Sequence, residues 1–177
     1  ARYYYAEDVF DKGETLATDE LLTGAYRYRH PLKAPLFLQA QTSYYRDAIK
    51  QLDHRVTQTL GVGLRAERDR WRISFTPAGG VQWRQVDGEE DLNVVAGFYL
   101  DAGVDITSTL RFTPTLDYLV AVDDKDDYST RLVMDLTQKL GAAWLLSMRY
   151  EYTYDSVVGK DASEEQQRWT LNIGLES

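Results

Sequence analysis

The chain has 177 residues, 44% hydrophobic content and a net charge of −8, a balance that suits one folded domain and not a disordered segment. The absence of cysteine excludes disulfides, thiolate metal sites and cysteine nucleophiles, two histidines are too few for a typical zinc cluster, and the acidic balance argues against nucleic acid, whose phosphates require a basic face. No run of about eighteen apolar residues is present, which excludes a transmembrane helix; a membrane strand, needing only about 9–11 alternating residues, stays open.

Taken in order, the chain is a succession of strands with a period of two. It opens on the tyrosine-rich RYYYA (2–6). Segment 20–30 sets Leu22, Gly24, Tyr26 and Tyr28 against Arg27 and Arg29, and segment 36–45 sets Leu36, Leu38 and Ala40 against Phe37, Gln39 and Gln41. Segment 55–67 opposes Val56, Leu60, Val62 and Leu64 to Arg55, Arg65 and Glu67. Segment 71–84 alternates Trp71, Ile73, Phe75, Val81 and Trp83 with Arg72, Ser74, Thr76, Gln82 and Arg84. Segment 91–105 sets Leu92, Val94, Phe98 and Leu100 against Asp101 and Asp105, and segment 109–122 sets Leu110, Phe112, Leu116 and Tyr118 against Arg111 and Asp117. Segment 128–140 opposes Leu132, Met134 and Leu136 to Arg131, Asp135 and Lys139. Segment 144–155 opposes Trp144, Leu146, Tyr150 and Tyr152 to Arg149 and Glu151, and segment 168–176 opposes Trp169, Leu171 and Ile173 to Arg168. About ten such strands are counted, most of them longer than the roughly 5–6 residues of a typical globular strand.

The connections alternate in length. Short ones are predicted at 30–34, 68–70, 107–108 and 140–143; long or acidic ones at 7–20, 47–53, 86–91, 123–127 and 156–165. Short turns at one rim, acidic loops at the other, a continuous apolar face and a charged opposite face predict an all-β, antiparallel up-and-down transmembrane β-barrel occupying residues 1–177 as one outer-membrane domain, with both termini periplasmic. Its expected surroundings are a lipid bilayer and lipopolysaccharide in a bacterial outer membrane. Pro77 and Pro114 fall on the apolar face, where each predicts a bulge or a lost ladder bond. Trp71 and Trp144 fall at the short-turn rim, Trp83 and Trp169 towards the other, and with Tyr150 and Tyr152 they are the expected membrane-interface aromatics. Parity alone does not say which face is inside, so a soluble ligand-binding barrel with its apolar face inward is the competing architecture.

The run DHRVTQTLGVGLRAERDRWRISFTPAGGVQWR (53–84), with LFLQAQTSYYRD (36–47) before it and LSMRYEYTYDS (146–156) after it, resembles the uncharacterised bacterial family of salt-induced outer-membrane proteins. The SYYRD, LDHRV and GVGL order carries the most specific part of the likeness. The resemblance implies a Gram-negative outer-membrane barrel with no established catalytic activity or ligand. Family members begin with further strands around a T-S-G-N-T-like turn and finish on an aromatic residue, so the resemblance allows twelve strands in a full-length protein.

Candidate sites follow from the charged face. Arg55, Arg65, Arg72, Arg84, Asp101, Asp105, Arg111, Asp117, Arg131, Asp135, Arg149 and Glu151, joined by Arg27, Arg29, Glu67, Lys139 and Arg168, form a lumen network of mixed sign. A barrel of about 8 strands is filled by side chains and an open channel appears only at about 16–18, so the expected function is a structural or narrow-pore protein with an occluded lumen. Asp53 and His54 at the rim raise a rim-active hydrolase as the alternative, but no serine pairs with His54, and no catalytic residue, resident metal or cofactor is expected. Asp87, Glu89, Glu90, Asp91, Asp123, Asp124, Asp126, Asp127, Asp161, Glu164 and Glu165 gather hard oxygen donors that could weakly bind divalent cations, with no EF-hand spacing among them.

Overall fold

In the structure, a computed structural model, residues 2–10, 14–47, 52–86, 88–141, 144–158 and 163–175 are described. They form ten strands: β1 (Arg2–Phe10), β2 (Glu14–Pro31), β3 (Leu36–Asp47), β4 (Leu52–Arg68), β5 (Trp71–Val86), β6 (Glu89–Asp105), β7 (Leu110–Ala121), β8 (Tyr128–Leu140), β9 (Trp144–Asp155) and β10 (Glu165–Leu175). Every strand pairs antiparallel with its sequence neighbour, giving one up-and-down sheet in the order β1 to β10. Among the described residues no ladder joins β10 to β1, so the sheet is open there.

The sheet is nevertheless strongly curled. Arg27 on β2 bonds Asp101 on β6 at 2.6 Å, and Arg55 on β4 bonds Asp155 on β9. Strands lie about 4.8 Å apart in a sheet, so in a flat sheet these partners would be separated by roughly 19 and 24 Å, beyond the reach of any side chain pair. The face carrying these residues is therefore concave. It is also the polar face: Gln39, Gln41, Thr57, Thr59, Ser74, Thr76, Gln82, Thr153 and Asp155 are all buried on it. A small apolar group shares that interior, namely Phe37, Leu52, Val95, Tyr99, Ala121 and Val133.

The apolar parity points outward. Leu60, Leu92, Leu171 and Ile173 are 57%, 69%, 67% and 66% exposed, and Val62, Leu64, Phe75, Val81 and Val94 lie open beside them. This is the reverse of a soluble sheet, whose apolar side turns to a core.

Both prolines lose ladder bonds and neither makes a bulge. Between β4 and β5 the partners are Gly61↔Ala78 and then Leu64↔Phe75, so pairing lapses opposite Pro77 with the register kept. Between β6 and β7 they are Asp101↔Thr115 and then Val104↔Phe112, and the lapse falls opposite Pro114. Each proline stays in register with its other neighbour, Pro77 with Phe98 and Pro114 with Met134. At two inward glycines the neighbouring strand leaves no room for a side chain. A Cβ on Gly80 would lie 2.8 Å from Thr59 Cα, and one on Gly97 would lie 2.9 Å from Leu119 Cα and inside contact with the Tyr118 carbonyl oxygen.

Two connections expected to be long are largely strand. Residues 7–10 and 14–20 extend β1 and β2, with Glu7↔Thr18 and Tyr5↔Glu20 in register. Acidic side chains do not stop a ladder, because the backbone groups pair whatever the side chain. At 86–91, β5 runs to Val86 and β6 starts at Glu89, with Gly88 at φ 81° as the left-handed residue of a tight turn. The expected loops at 123–127 and 156–165 stand outside strands where they are described, except that Glu165 begins β10.

A side chain at such a glycine should be costly. Gly97→Val is expected to lose about 1–3 kcal/mol, since the facing strand must move, whereas Gly174→Ala, with nothing within 4 Å of the added carbon, should stay within about 0.5 kcal/mol. Urea unfolding of both variants checks the contrast.

Candidate functional site

The concave face carries its charges in clusters. Nearest the acidic loops, Arg84 donates from Nη1 to Asp127 Oδ1 at 2.8 Å and from Nη2 to Asp91 Oδ2 at 2.9 Å. Asn93 Nδ2 donates to the same two carboxylates, at 2.8 Å to Asp91 and 3.0 Å to Asp127. Asp127 belongs to the connection between β7 and β8 but is buried, so Arg84 draws that connection inward over the concave face.

Deeper in the trough three arginines are each held by a carboxylate. Arg55 pairs with Asp155 and lies 4.9 Å over the Tyr45 ring. Arg131 Nε donates to Glu151 at 2.7 Å, and Arg149 grips Asp135 with two bonds of 2.6 Å. The bidentate fork makes the last pair the best oriented of the three.

A further cluster crosses the trough. Arg27 and Arg29 on β2 both donate to Asp101 on β6, at 2.6 and 2.5 Å. Their Nε groups donate to Gln41 and Gln39 at 2.6 and 2.7 Å, and their planes lie over the rings of Tyr99 and Phe37. Asp117 lies 3.7 Å from Arg27, and its Oδ1 is buried with no hydrogen-bond partner. Between this bracket and the Arg55 pair lies a cavity of about 370 Å³ with a lining of mixed polarity.

Five of the expected network residues stand apart from these clusters. Arg65 pairs with Glu67 two positions away on the same strand, both well exposed, and Arg111 pairs with Asp105 across the β6–β7 turn at 2.5 Å. Arg72 packs against Gly103 and makes no ion pair among the described residues. These positions sit at the short-turn end, where solvent supports the charge. Sequence reading missed Asp127 and Asn93, because a loop aspartate in an acidic run looks solvated, and it missed Asp155 as a partner of Arg55.

The aromatic positions all stand on the outer face or its rims. Trp71, Trp83, Trp144 and Trp169 are 43%, 36%, 52% and 65% exposed. Trp71 and Trp144 begin β5 and β9 at the short-turn rim, and Trp83 lies near the end of β5 at the other. Tyr150 packs on Trp169 at 4.6 Å between ring centroids, and Tyr152 is in register with Leu132 and Gln167. A band of rings also crosses the sheet through Phe75, Phe98, Tyr118, Tyr128 and Tyr154, with centroids 5.2–6.1 Å apart.

His54 rests on Trp83 at 4.2 Å, and its Nε2 is buried without a hydrogen-bond partner. Asp53 is the extra residue where the β4–β5 register shifts between Leu52 and His54. Of the acidic rim, Asp87 and Asp161 lie outside the described residues. Asp91 and Asp127 are taken by Arg84, Glu164 accepts from the Tyr154 hydroxyl at 2.7 Å, and no three acidic or histidine side chains converge as a metal site among the described residues.

An antiparallel sheet that buries charged pairs on its inner side and bares its apolar side defines a class, the inside-out β-sheet protein. Residues 1–176 match the family described as Protein of unknown function, DUF481, and the chain belongs to it. No curated protein and no solved structure matches the chain.

The deep pairs should matter far more than the exposed one. Asp155→Ala leaves Arg55 buried and unpaired and is expected to cost about 3–5 kcal/mol, and replacing both by Met and Leu should recover part of that loss. Glu67→Ala should have a small effect, as exposed pairs contribute little. Denaturant midpoints of the three variants test the ranking.

Proposed function

We propose that the chain is a transmembrane β-barrel of the bacterial outer membrane, closed in its native setting, whose lumen is the concave face and whose lumen is kept shut by its own ion pairs. The observation that carries this reading is the polarity of the two faces. Leaving so many leucines, isoleucines, valines and tryptophans on a convex surface is unfavourable in water and is what hydrocarbon demands of a barrel wall. A soluble ligand-binding barrel needs the opposite arrangement, with the apolar side chains around its ligand.

The bracket formed by Arg27, Arg29 and Asp101 supports occlusion. It spans the trough from β2 to β6, with Gln39, Gln41 and Ser74 filling out its hydrogen bonds. A narrow pore is the second reading, favoured by the cavity beside that bracket. In either case the protein works as a membrane structure and not as an enzyme: His54 leans on an indole at the outer rim, away from the charged interior. The resemblance to the salt-induced outer-membrane family supports the same setting, with lipid and lipopolysaccharide as the surrounding partners; weak binding of divalent cations at the acidic loops is proposed from their carboxylates alone.

Three measurements test the reading. A cysteine label at Lys125 should react in intact cells and one at Arg70 should not; the reverse result contradicts the orientation. Leu116→Arg, on the lipid side, should cost about 2–4 kcal/mol, with Thr115→Arg costing less; greater damage from inward changes would favour the soluble architecture. In planar bilayers the wild type should conduct little, and the fourfold change Arg27→Gln, Arg29→Gln, Asp101→Asn and Asp117→Asn should raise conductance, because it removes the cross-trough ion pairs and leaves neither Asp101 nor Asp117 as a lone charge. A robust open channel in the wild type would overturn occlusion.

A further inference from the structure

The charges at the short-turn rim run against those of the whole molecule. The chain has a net charge of −8, and its acidic connections crowd the opposite rim. Yet residues 32–36, 65–72, 105–111 and 138–141, which make the short turns and the strand ends beside them, carry seven lysines and arginines against three carboxylates. Two of those carboxylates are already matched, Glu67 by Arg65 and Asp105 by Arg111. Lys33, Arg68 and Arg70 are exposed and make no ion pair among the described residues.

These three cations stand where the apolar wall ends. On β4 the outer parity runs Leu60, Val62, Leu64, Ala66 and then Arg68, whose register partner is Trp71. Arg70 is in the turn that joins β4 to β5, and its carbonyl oxygen accepts from the Asp105 backbone N–H at 2.7 Å. Lys33 is in the turn between β2 and β3, and that turn lies against β4, where the Arg65 backbone N–H donates to the Pro35 carbonyl oxygen at 2.9 Å. The three therefore belong to adjacent hairpins, beside an exposed indole. An indole favours the membrane interface, and a lysine or arginine next to it can keep its stem on apolar surface while its head reaches the phosphate layer. A guanidinium fits a phosphate bidentately. A zwitterionic headgroup carries its own cation and an anionic one does not, so an unpaired basic rim favours the anionic lipid.

We propose that the short-turn rim is a docking surface for anionic phospholipid headgroups, with Lys33, Arg68 and Arg70 receiving their phosphates. The inference rests on reading the outer face as lipid-facing, and it adds which lipid gathers at which rim. The acidic rim repels the same headgroups.

The test is tryptophan quenching in the full chain, with Trp71 or Trp83 kept as the single indole and the others replaced by Phe. The protein is inserted into phosphatidylcholine vesicles that contain equal minor shares of either brominated phosphatidylglycerol or brominated phosphatidylcholine. Trp71 should be quenched about twofold or more strongly by the brominated anionic lipid, and Trp83 should show no such excess. Lys33→Gln, Arg68→Gln and Arg70→Gln together should remove the excess at Trp71 while leaving its quenching by brominated phosphatidylcholine unchanged, and Arg68→Gln alone should lower the excess in part. Equal quenching of Trp71 by the two lipids, the same excess at Trp83, or an excess that survives both sets of changes would each overturn the docking surface. Binding of oligoglutamate by the micelle-folded protein, with no lipid preference at Trp71, would assign the rim to an acidic peptide and also overturn it. Quenching by neither lipid would instead overturn the membrane reading, whereas an inserted protein without lipid preference leaves that reading intact and removes this one.

Discussion

The fold depends on ion pairs that reach across the inside of a curled sheet. Hydrogen bonding along each ladder makes a sheet but does not set its curvature, and an open sheet of ten strands could splay. Here Arg27 and Arg29 tie β2 to β6, Arg55 ties β4 to β9, and Arg84 ties β5 to the connection after β7. These are partly or fully desolvated pairs, for which the charge burial is a cost offset by geometry and by additional hydrogen bonds. Asp101 receives both arginines and the Ser74 hydroxyl, and Asp127 receives Arg84 and Asn93. With the polar face thus turned inward, the apolar face has nowhere to go but out. The inverted polarity of the molecule is a consequence of the same contacts that curve it.

The strands were legible in the sequence because a strict period of two survives in nearly all of them; the predicted segments 36–45, 128–140 and 144–155 correspond to β3, β8 and β9 with little change in their bounds. Parity also separated the two faces correctly, since Leu60 and Thr59, or Phe98 and Tyr99, fall on opposite sides. What parity lacks is a sign. Which face is concave is settled by contacts between residues far apart in the chain, such as Arg27 and Asp101, 74 positions apart, and no local pattern encodes those. The same limit explains the network: same-strand and adjacent-strand pairs such as Asp135 with Arg149 follow from register, while Arg55 with Asp155 requires the curl.

Connections were less legible than strands. The acidic run at 7–20 looked like a loop because its side chains are polar, yet residues 7–10 and 14–20 belong to paired strands, with one register shift between Asp8 and Val9. Asp87-Gly88 was a two-residue hairpin signal hidden inside an acidic stretch. Asp127 went the other way: an aspartate in DDKDD looks solvated, and it is buried only because Arg84 waits for it on the inner wall. In each case the charge of a side chain said little about the path of the backbone.

The central claim is that the convex face meets hydrocarbon, and depth-dependent quenching of tryptophan fluorescence by lipids brominated along their acyl chains reads it most directly. In a background with Trp71, Trp83, Trp144 and Trp169 replaced by Phe, a single indole is placed at Leu116 or Leu60 on the outer face, or at Tyr99 on the inner one. With the protein in vesicles, the outer positions should be quenched most strongly by bromines deep in the chain, and the inner position should be quenched little at any depth. Equal and weak quenching at outer and inner positions would contradict it.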